Sequence, residues 1–443
     1  MRKLLIVLII AGFLAPLLSS AAFAAGEPPK DLMKGIITQV DAQQRTVSFT
    51  KDNGEVMTLT LPEKMATADV AINKKVMISL DKHAGPGVIK DVDQMFMDMT
   101  VSKGVALLLV GLIGGLLSGF IGSGGAFVLT PAMMSLGAPG AVAVATNMCH
   151  KFPKALVGTY KRFKYGQVDL KLAAVMGVTA IIGVQFGIKM QKYILNTYGN
   201  AGSNLYVSVI FVAVLVLVGG YVFFDAYKLA KGGDSEKASK LALRLQKMEL
   251  WPMMEFKVAK VRISAWVTVP VGLATGLLAA TIAVGGFIGV PGMIYVVGAS
   301  AMVASATELG IAFMMGAWGS VQWGMSGLID IRLALLLLST SLIGVQLGAL
   351  GTTYVKDYMI KLVMASVMLV VAVSRGAMIP GYLAALGLRE ALDKGTAGFL
   401  DSLSFWTLVA ALGLSGLIIT IAMVVGMMKD RAEKKMVTAV SHG

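Results

Sequence analysis

One carboxylate stands out in this 443-residue chain, because Glu308 lies inside a long apolar stretch. A charged group there is costly, so an ionisable residue in such a place is a functional candidate by default. Burial favours its neutral form, so Glu308 could take up and release a proton as a second solute moves. Its alternatives are permanent protonation or pairing with a lysine. Two glycine pairs, Gly124-Gly125 and Gly285-Gly286, are the other candidates. Each precedes a short apolar segment containing a proline, Pro131 or Pro291. A helix that starts at such a break points free N–H groups and a positive dipole end at whatever lies before it. Glycine lets a ligand approach the backbone closely. That arrangement suits a compact anion, held without a fixed counter-charge that would trap it. Thr146, Asn147 and Thr307 either add side-chain donors or hydrogen-bond between helices. Lys151 either draws anions to the inner end of a pore-lining helix or anchors that helix. Gln185 and Gln346 either line a path or act as polar glue. Asp169 and Asp330 read as helix caps.

Other chemistries are poorly served. A single cysteine, Cys149, allows no intrachain disulfide and no cysteine-based metal centre. The three histidines, His83, His150 and His442, are scattered. Nothing resembles a Walker phosphate loop. No cofactor, no metal and no enzymatic activity are expected. The net charge of +14 sits in short segments beside apolar runs, which orients a membrane protein rather than binding nucleic acid.

The elements that must position these residues are membrane helices. The chain is 56% hydrophobic and 14% charged, against about 25% charged in soluble domains. Residues 168–189, 205–224 and 405–427 are apolar runs long enough to cross a bilayer, which takes roughly 20 residues of helix. Residues 1–24 read as a signal peptide: Arg2 and Lys3, an apolar core, then Ala22-Phe23-Ala24. An uncleaved anchor helix is the rival reading, and either one exports the residues from 25 onward. Residues 25–100 alternate as short strands around an Asn53-Gly54 turn, which predicts a small barrel-like β domain. Its methionines, Met57, Met77, Met95, Met97 and Met99, read as apolar filler or, more exotically, as soft-metal ligands.

From residue 101 the chain repeats itself. A shift of 161 residues aligns two halves without a gap, and 24 of 73 positions match between Gly115 and Gly187. The glycine pairs, Thr146 with Thr307, Asp169 with Asp330 and Gln185 with Gln346 all fall in register. Basic residues cluster at 150–165, at 226–263 and after Met428, and mark cytoplasmic sides. Residues 191–204 and 381–404 carry few and mark the periplasmic side. With the β domain outside, the two halves must run with opposite topology, each crossing an odd number of times. The expected fold is a polytopic α-helical membrane protein of inverted repeats with broken or re-entrant helices, plus the β domain. Its parts are a first transmembrane repeat at 101–228, a basic cytoplasmic insert at 229–263, a second repeat at 264–377, a periplasmic linker at 378–403, and a last helix with cytoplasmic tail at 404–443. Inverted repeats place a solute site near the bilayer midplane, where short Gly/Pro-interrupted segments recur. Trp266, Trp323 and Trp406 suit the interfacial belt.

Gly122-Ser123-Gly124-Gly125, Pro131, Gly137 and Ala145-Thr146-Asn147 resemble the first-half signature of the TauE/SafE sulfite-exporter family. Gly285-Gly286, Pro291, Gly298 and Ala306-Thr307-Glu308 echo it in the second half. The resemblance covers roughly residues 105–377. It implies an inner-membrane permease or exporter for small sulfur oxyanions or sulfonates, coupled to an ion gradient, with no nucleic-acid partner. A membrane sensor or assembly factor with a ligand-binding β domain is the alternative. The sequence leaves transport direction and oligomeric state open.

Overall fold

The computed structural model describes residues 32–63, 65, 67, 70, 72–80, 85, 87–121, 125–231, 240–351 and 357–441. The expected signal peptide lies outside the described residues. Five strands come first: β1 (Leu32–Asp41), β2 (Thr46–Lys51), β3 (Val56–Thr60), β4 (Lys75–Leu80) and β5 (Ile89–Gln94). All neighbours pair antiparallel, in the order β3-β2-β1-β4-β5. Alternate residues point inward, so Ile37, Val47, Phe49, Leu59, Val76 and Ile78 form a core of their own. The expectation of a barrel needs correcting. The outer strands β3 and β5 never pair as strands, and an isolated Thr60–Val88 bridge brings the edges together at one end. The result is a curled open sheet.

The chain then turns helical. Helices α1 (Val101–Ile121), α2 (Ala126–Ser135), α3 (Gly140–Lys164) and α4 (Leu170–Ala230) lead the bundle. Gly199, at φ 66° and ψ −161°, divides α4 into two arms, 170–198 and 200–230. The basic insert holds α5 (Lys240–Gln246) and a hairpin of β6 (Met253–Phe256) and β7 (Val261–Ser264), neither of which the sequence pattern predicts. Then come α6 (Ala265–Ile282), α7 (Gly286–Gly292), a π-helical turn at Met293–Val297, α8 (Ala301–Met325), α9 (Ile331–Gly351), α10 (Asp357–Ala385) and α11 (Lys394–Ser441). Among the described residues, seven helices are long and apolar enough to span a membrane. The shorter apolar segments Ala126–Ser135 and Gly286–Val297 are too short, at ~1.5 Å per residue, to cross ~30 Å of hydrocarbon.

The same 161-residue shift carries α3 onto α8 end for end and the start of α4 onto the start of α9. Packing crosses between the halves. Helix α1 lies along α9, and α6 lies along the first arm of α4. Small residues make this possible. Gly115 backs onto the Ser341 backbone and Gly344 onto Leu112 of the facing helix, while Gly276 backs onto Ala180 and Gly183 onto Leu273. A side chain at any of these would drive into main-chain atoms, which is why small residues line close helix crossings. Helices α3 and α8 cross in the middle of the bundle, and the second arm of α4 pairs with α10.

The sheet sits on one end of the bundle. Asn200 Nδ2 donates to the Gln94 carbonyl at 3.1 Å, and Arg332 Nη2 donates to the Met97 carbonyl at 3.4 Å. Met77 and Met95 are buried in one cluster with Ala141, Val142, Trp323 and Leu328. These methionines are therefore apolar contacts between sheet and helices. Trp323 does not join an interfacial belt. It is fully buried, whereas Trp266 and Trp406 are largely exposed.

Candidate functional site

The two breaks meet near the middle of the bundle. Gly125 precedes α2 and Gly285 precedes α7, and neither helix start has a side-chain cap. The N–H groups of Val128 and Leu129 turn back onto the Gly125 carbonyl and those of Ile288 and Gly289 onto the Gly285 carbonyl, so only the N–H groups before them have no partner within their own helix. Phe127 and Phe287, one on each short helix, meet with ring centroids 5.0 Å apart. Gly125 is glycine because a β-carbon would overlap the Gly114 carbonyl on α1. Both short segments end on a left-handed glycine, Gly137 at φ 102° and Gly298 at φ 96°. That conformation closes a helix at little cost only without a β-carbon. Gly124 lies outside the described residues; Gly125, Gly285 and Gly286 are buried.

Helix α3 supplies a polar stripe beside the first break. Asn147, Lys151 and Lys154 recur at helical spacing, and His150 sits next to them. Asn147 is fully buried, and its Nδ2 donates to the Ala126 carbonyl at 3.0 Å and to Thr130 Oγ1 at 2.8 Å. It therefore fixes the first turn of α2. Lys154 Nζ donates to Ser118 Oγ on α1 at 3.1 Å. His150 Nε2 pairs with Ser341 Oγ of the other half at 2.7 Å. Lys151 is buried on the same helix. Glu308 occupies the position on α8 that Asn147 holds on α3. It is 3% exposed, and both carboxylate oxygens are buried without a hydrogen-bond partner. Its side chain presses on Gly289 of α7, where a β-carbon would collide with the carboxylate. Lys151 and Glu308 are near enough to act on each other electrostatically.

Charge counting alone assigns the whole basic stretch from His150 to the cytoplasmic side. The structure divides it. Lys151 is buried and Lys154 half-buried in the polar stripe, whereas Lys161, Arg162 and Lys164 lie in the last turn of α3. Lys154, His150 and Ser341 are site neighbours that sequence reasoning missed. The spacing 147-151-154 was the available signal, masked by the lysine-rich end of the same helix.

Other candidates are engaged elsewhere. Thr146 Oγ1 accepts from the Asp330 N–H at 3.0 Å, and Thr307 Oγ1 accepts from the Asp169 N–H at 3.1 Å. Each threonine thus holds the start of a helix in the opposite half. Asp169 caps its own helix through Leu172 N–H at 3.0 Å and also accepts from Val258 and Ala259, pinning the β6–β7 turn. Gln185 accepts from Trp318 Nε1 and Gln346 from Lys161 Nζ, both in exposed settings away from the breaks. Thr146→Val and Thr307→Val are each expected to destabilise the protein by ~1–3 kcal/mol, because a buried N–H loses its acceptor. Thermal unfolding in detergent checks this, and the threonine-to-serine changes should restore the wild-type midpoint.

Comparison with known proteins places the helical part of the chain among membrane transporters. The family model described as "Sulfite exporter TauE/SafE" matches residues 107–375. The curated "Probable membrane transporter protein YdhB" of Bacillus subtilis (strain 168) is 24% identical over 262 residues, covering 58% of this chain and 93% of that protein. "Probable membrane transporter protein YjnA" of the same organism is 24% identical over 269 residues, covering 60% of this chain and 97% of that protein. No solved structure matches the chain. The family match begins after β5 and stops within α10, so the sheet and α11 lie outside it.

Proposed function

Because the chain belongs to the sulfite exporter TauE/SafE family of membrane transporters, we propose that it carries a small sulfur-containing anion, such as sulfite or a sulfonate, across the inner membrane in exchange for or together with protons. The observation that carries this reading is the meeting of two uncapped helix starts beside buried Lys151 and Glu308. The anion is held between the breaks. Backbone N–H groups at Gly125 and at Gly285-Gly286 take its oxygens, as helix N-termini do for other oxyanions. Lys151 adds charge, and Asn147 keeps the first break in shape. Glu308 carries the proton.

The two halves are read as an inverted pair. In support, α3 and α8 share both boundaries at a fixed shift, α4 and α9 share their starts, and α1 packs along α9 as the first arm of α4 packs along α6. The sheet faces the periplasm in this reading, and the last turn of α3, the basic insert and the C-terminus face the cytoplasm. Alternating access then comes from one half rocking against the other around the shared site.

Purified protein in liposomes is expected to move labelled sulfite down an imposed gradient. Lys151→Met should weaken half-saturation about tenfold, the size of one lost charged contact of ~1.4 kcal/mol. No flux with sulfite, sulfate, thiosulfate or any sulfonate would overturn the reading.

A further inference from the structure

Arg375 is the largest buried charge that the breaks do not use. It lies on α10, where it is 1% exposed. Among the described residues no carboxylate forms an ion pair with it. One terminal nitrogen, Nη2, donates to Ser135 Oγ at 2.5 Å and to Ser404 Oγ at 2.9 Å, with a longer approach to Ser374 Oγ at 3.5 Å. The other two nitrogens, Nε and Nη1, are buried with no partner. A guanidinium inside a membrane helix is costly, and its partner is normally another charge or a set of carbonyls.

The end of α2 does not supply that partner. Ser135 is its last residue, so a cation there could in principle cap the helix. The carbonyls of Ala132, Met133 and Met134 are already taken by the N–H groups of Leu136, Ala138 and Gly137. Arg375 reaches the serine hydroxyl instead. The cation is therefore surrounded by a ring of neutral hydroxyls, with the three N–H groups of Nε and Nη1 to spare. That is the donor set of an oxyanion site, since a guanidinium binds planar or tetrahedral oxyanions through several N–H groups at once.

We propose that Arg375, Ser135 and Ser404 form a second binding station for a compact oxyanion. It lies at the sheet end of the bundle, where Gly137 approaches Lys103 near the start of α1. It is separate from the breaks by the length of α2, ~14 Å. Soluble sulfur oxyanions and the phosphate of an acidic lipid share this chemistry, and the experiment separates them.

Isothermal titration of the full-length protein, purified without lipid in a neutral detergent, uses sulfate as a probe that undergoes no redox change. A parallel titration uses short-chain phosphatidylglycerol. Wild type is expected to take up sulfate at two sites. Lys151→Met should remove one and Arg375→Gln the other. The Ser135→Ala/Ser404→Ala double variant keeps the charge and the fold, and should weaken the Arg375 site about tenfold. If Arg375→Gln instead abolishes phosphatidylglycerol binding alone, the station holds but its ligand is a lipid headgroup. Two outcomes overturn the proposal. In one, Arg375→Gln and the double-serine variant bind both probes as wild type does. In the other, Lys151→Met removes all sulfate binding and neither Arg375 variant affects the lipid. The second outcome leaves the break site standing.

Discussion

Glu308→Gln is expected to abolish pH-driven accumulation of sulfite while leaving sulfite–sulfite exchange intact. The carboxylate is buried, neither oxygen has a hydrogen-bond partner, and the side chain fills space against Gly289. Glutamine keeps that volume and cannot titrate. It also makes the position resemble its counterpart in the first half, where the neutral amide of Asn147 serves. A proton carried with each anion across a gradient of one pH unit supplies ~1.4 kcal/mol, or a tenfold accumulation. The variant should lose that tenfold and equilibrate. Proteoliposomes loaded at one pH and diluted into another measure it directly. Accumulation unchanged in Glu308→Gln would remove this residue from proton coupling and assign the proton to another group.

The second large effect concerns folding. Gly276→Leu is expected to prevent recovery of folded protein, because its β-carbon alone would overlap the Ala180 carbonyl on α4. Two main chains would have to separate, not one side chain rotate. Overfilling a tight contact usually costs ~1–3 kcal/mol, and a backbone clash belongs at or beyond the upper end. Gly220→Leu is the matched control, since nothing lies within 4 Å of its β-carbon position. Size-exclusion profiles and yields of the two variants should differ sharply. Comparable monodisperse yields would mean that α4 and α6 pack less tightly than described.

Much of this architecture is legible in the sequence because the repeat carries its own check. The glycine pairs, Asp169 with Asp330, and Thr146 with Thr307 recur in register, and the helices they mark begin and end accordingly. Strand alternation marks the N-terminal residues as a β unit, and the Asn53-Gly54 turn falls between β2 and β3. Partners distant along the chain are hidden. Nothing near Thr146 in the sequence tells that its hydroxyl accepts from the Asp330 N–H, 184 residues away. Trp323 looks interfacial because no local pattern tells that the sheet end of α8 is covered. The lysines of α3 read as one block because charge counting ignores helical phase, which separates Lys151 and Lys154 from Lys161.

The crossed packing of the halves also governs how the chain is made. Helix α1 lies along α9, yet α1 ends at Ile121 and α9 begins at Ile331. At roughly 5–20 residues per second, a ribosome takes about 10–40 s to synthesise the intervening chain. Throughout that time the notched face of α1 has lipid for company instead of its mate. The first arm of α4 waits likewise for α6, though far more briefly. Neither half can mature while the other is unborn, so insertion runs ahead of assembly. A nascent chain stalled before Ile331 would be fully inserted and still conspicuously unfinished, which is the kind of substrate that membrane quality control removes.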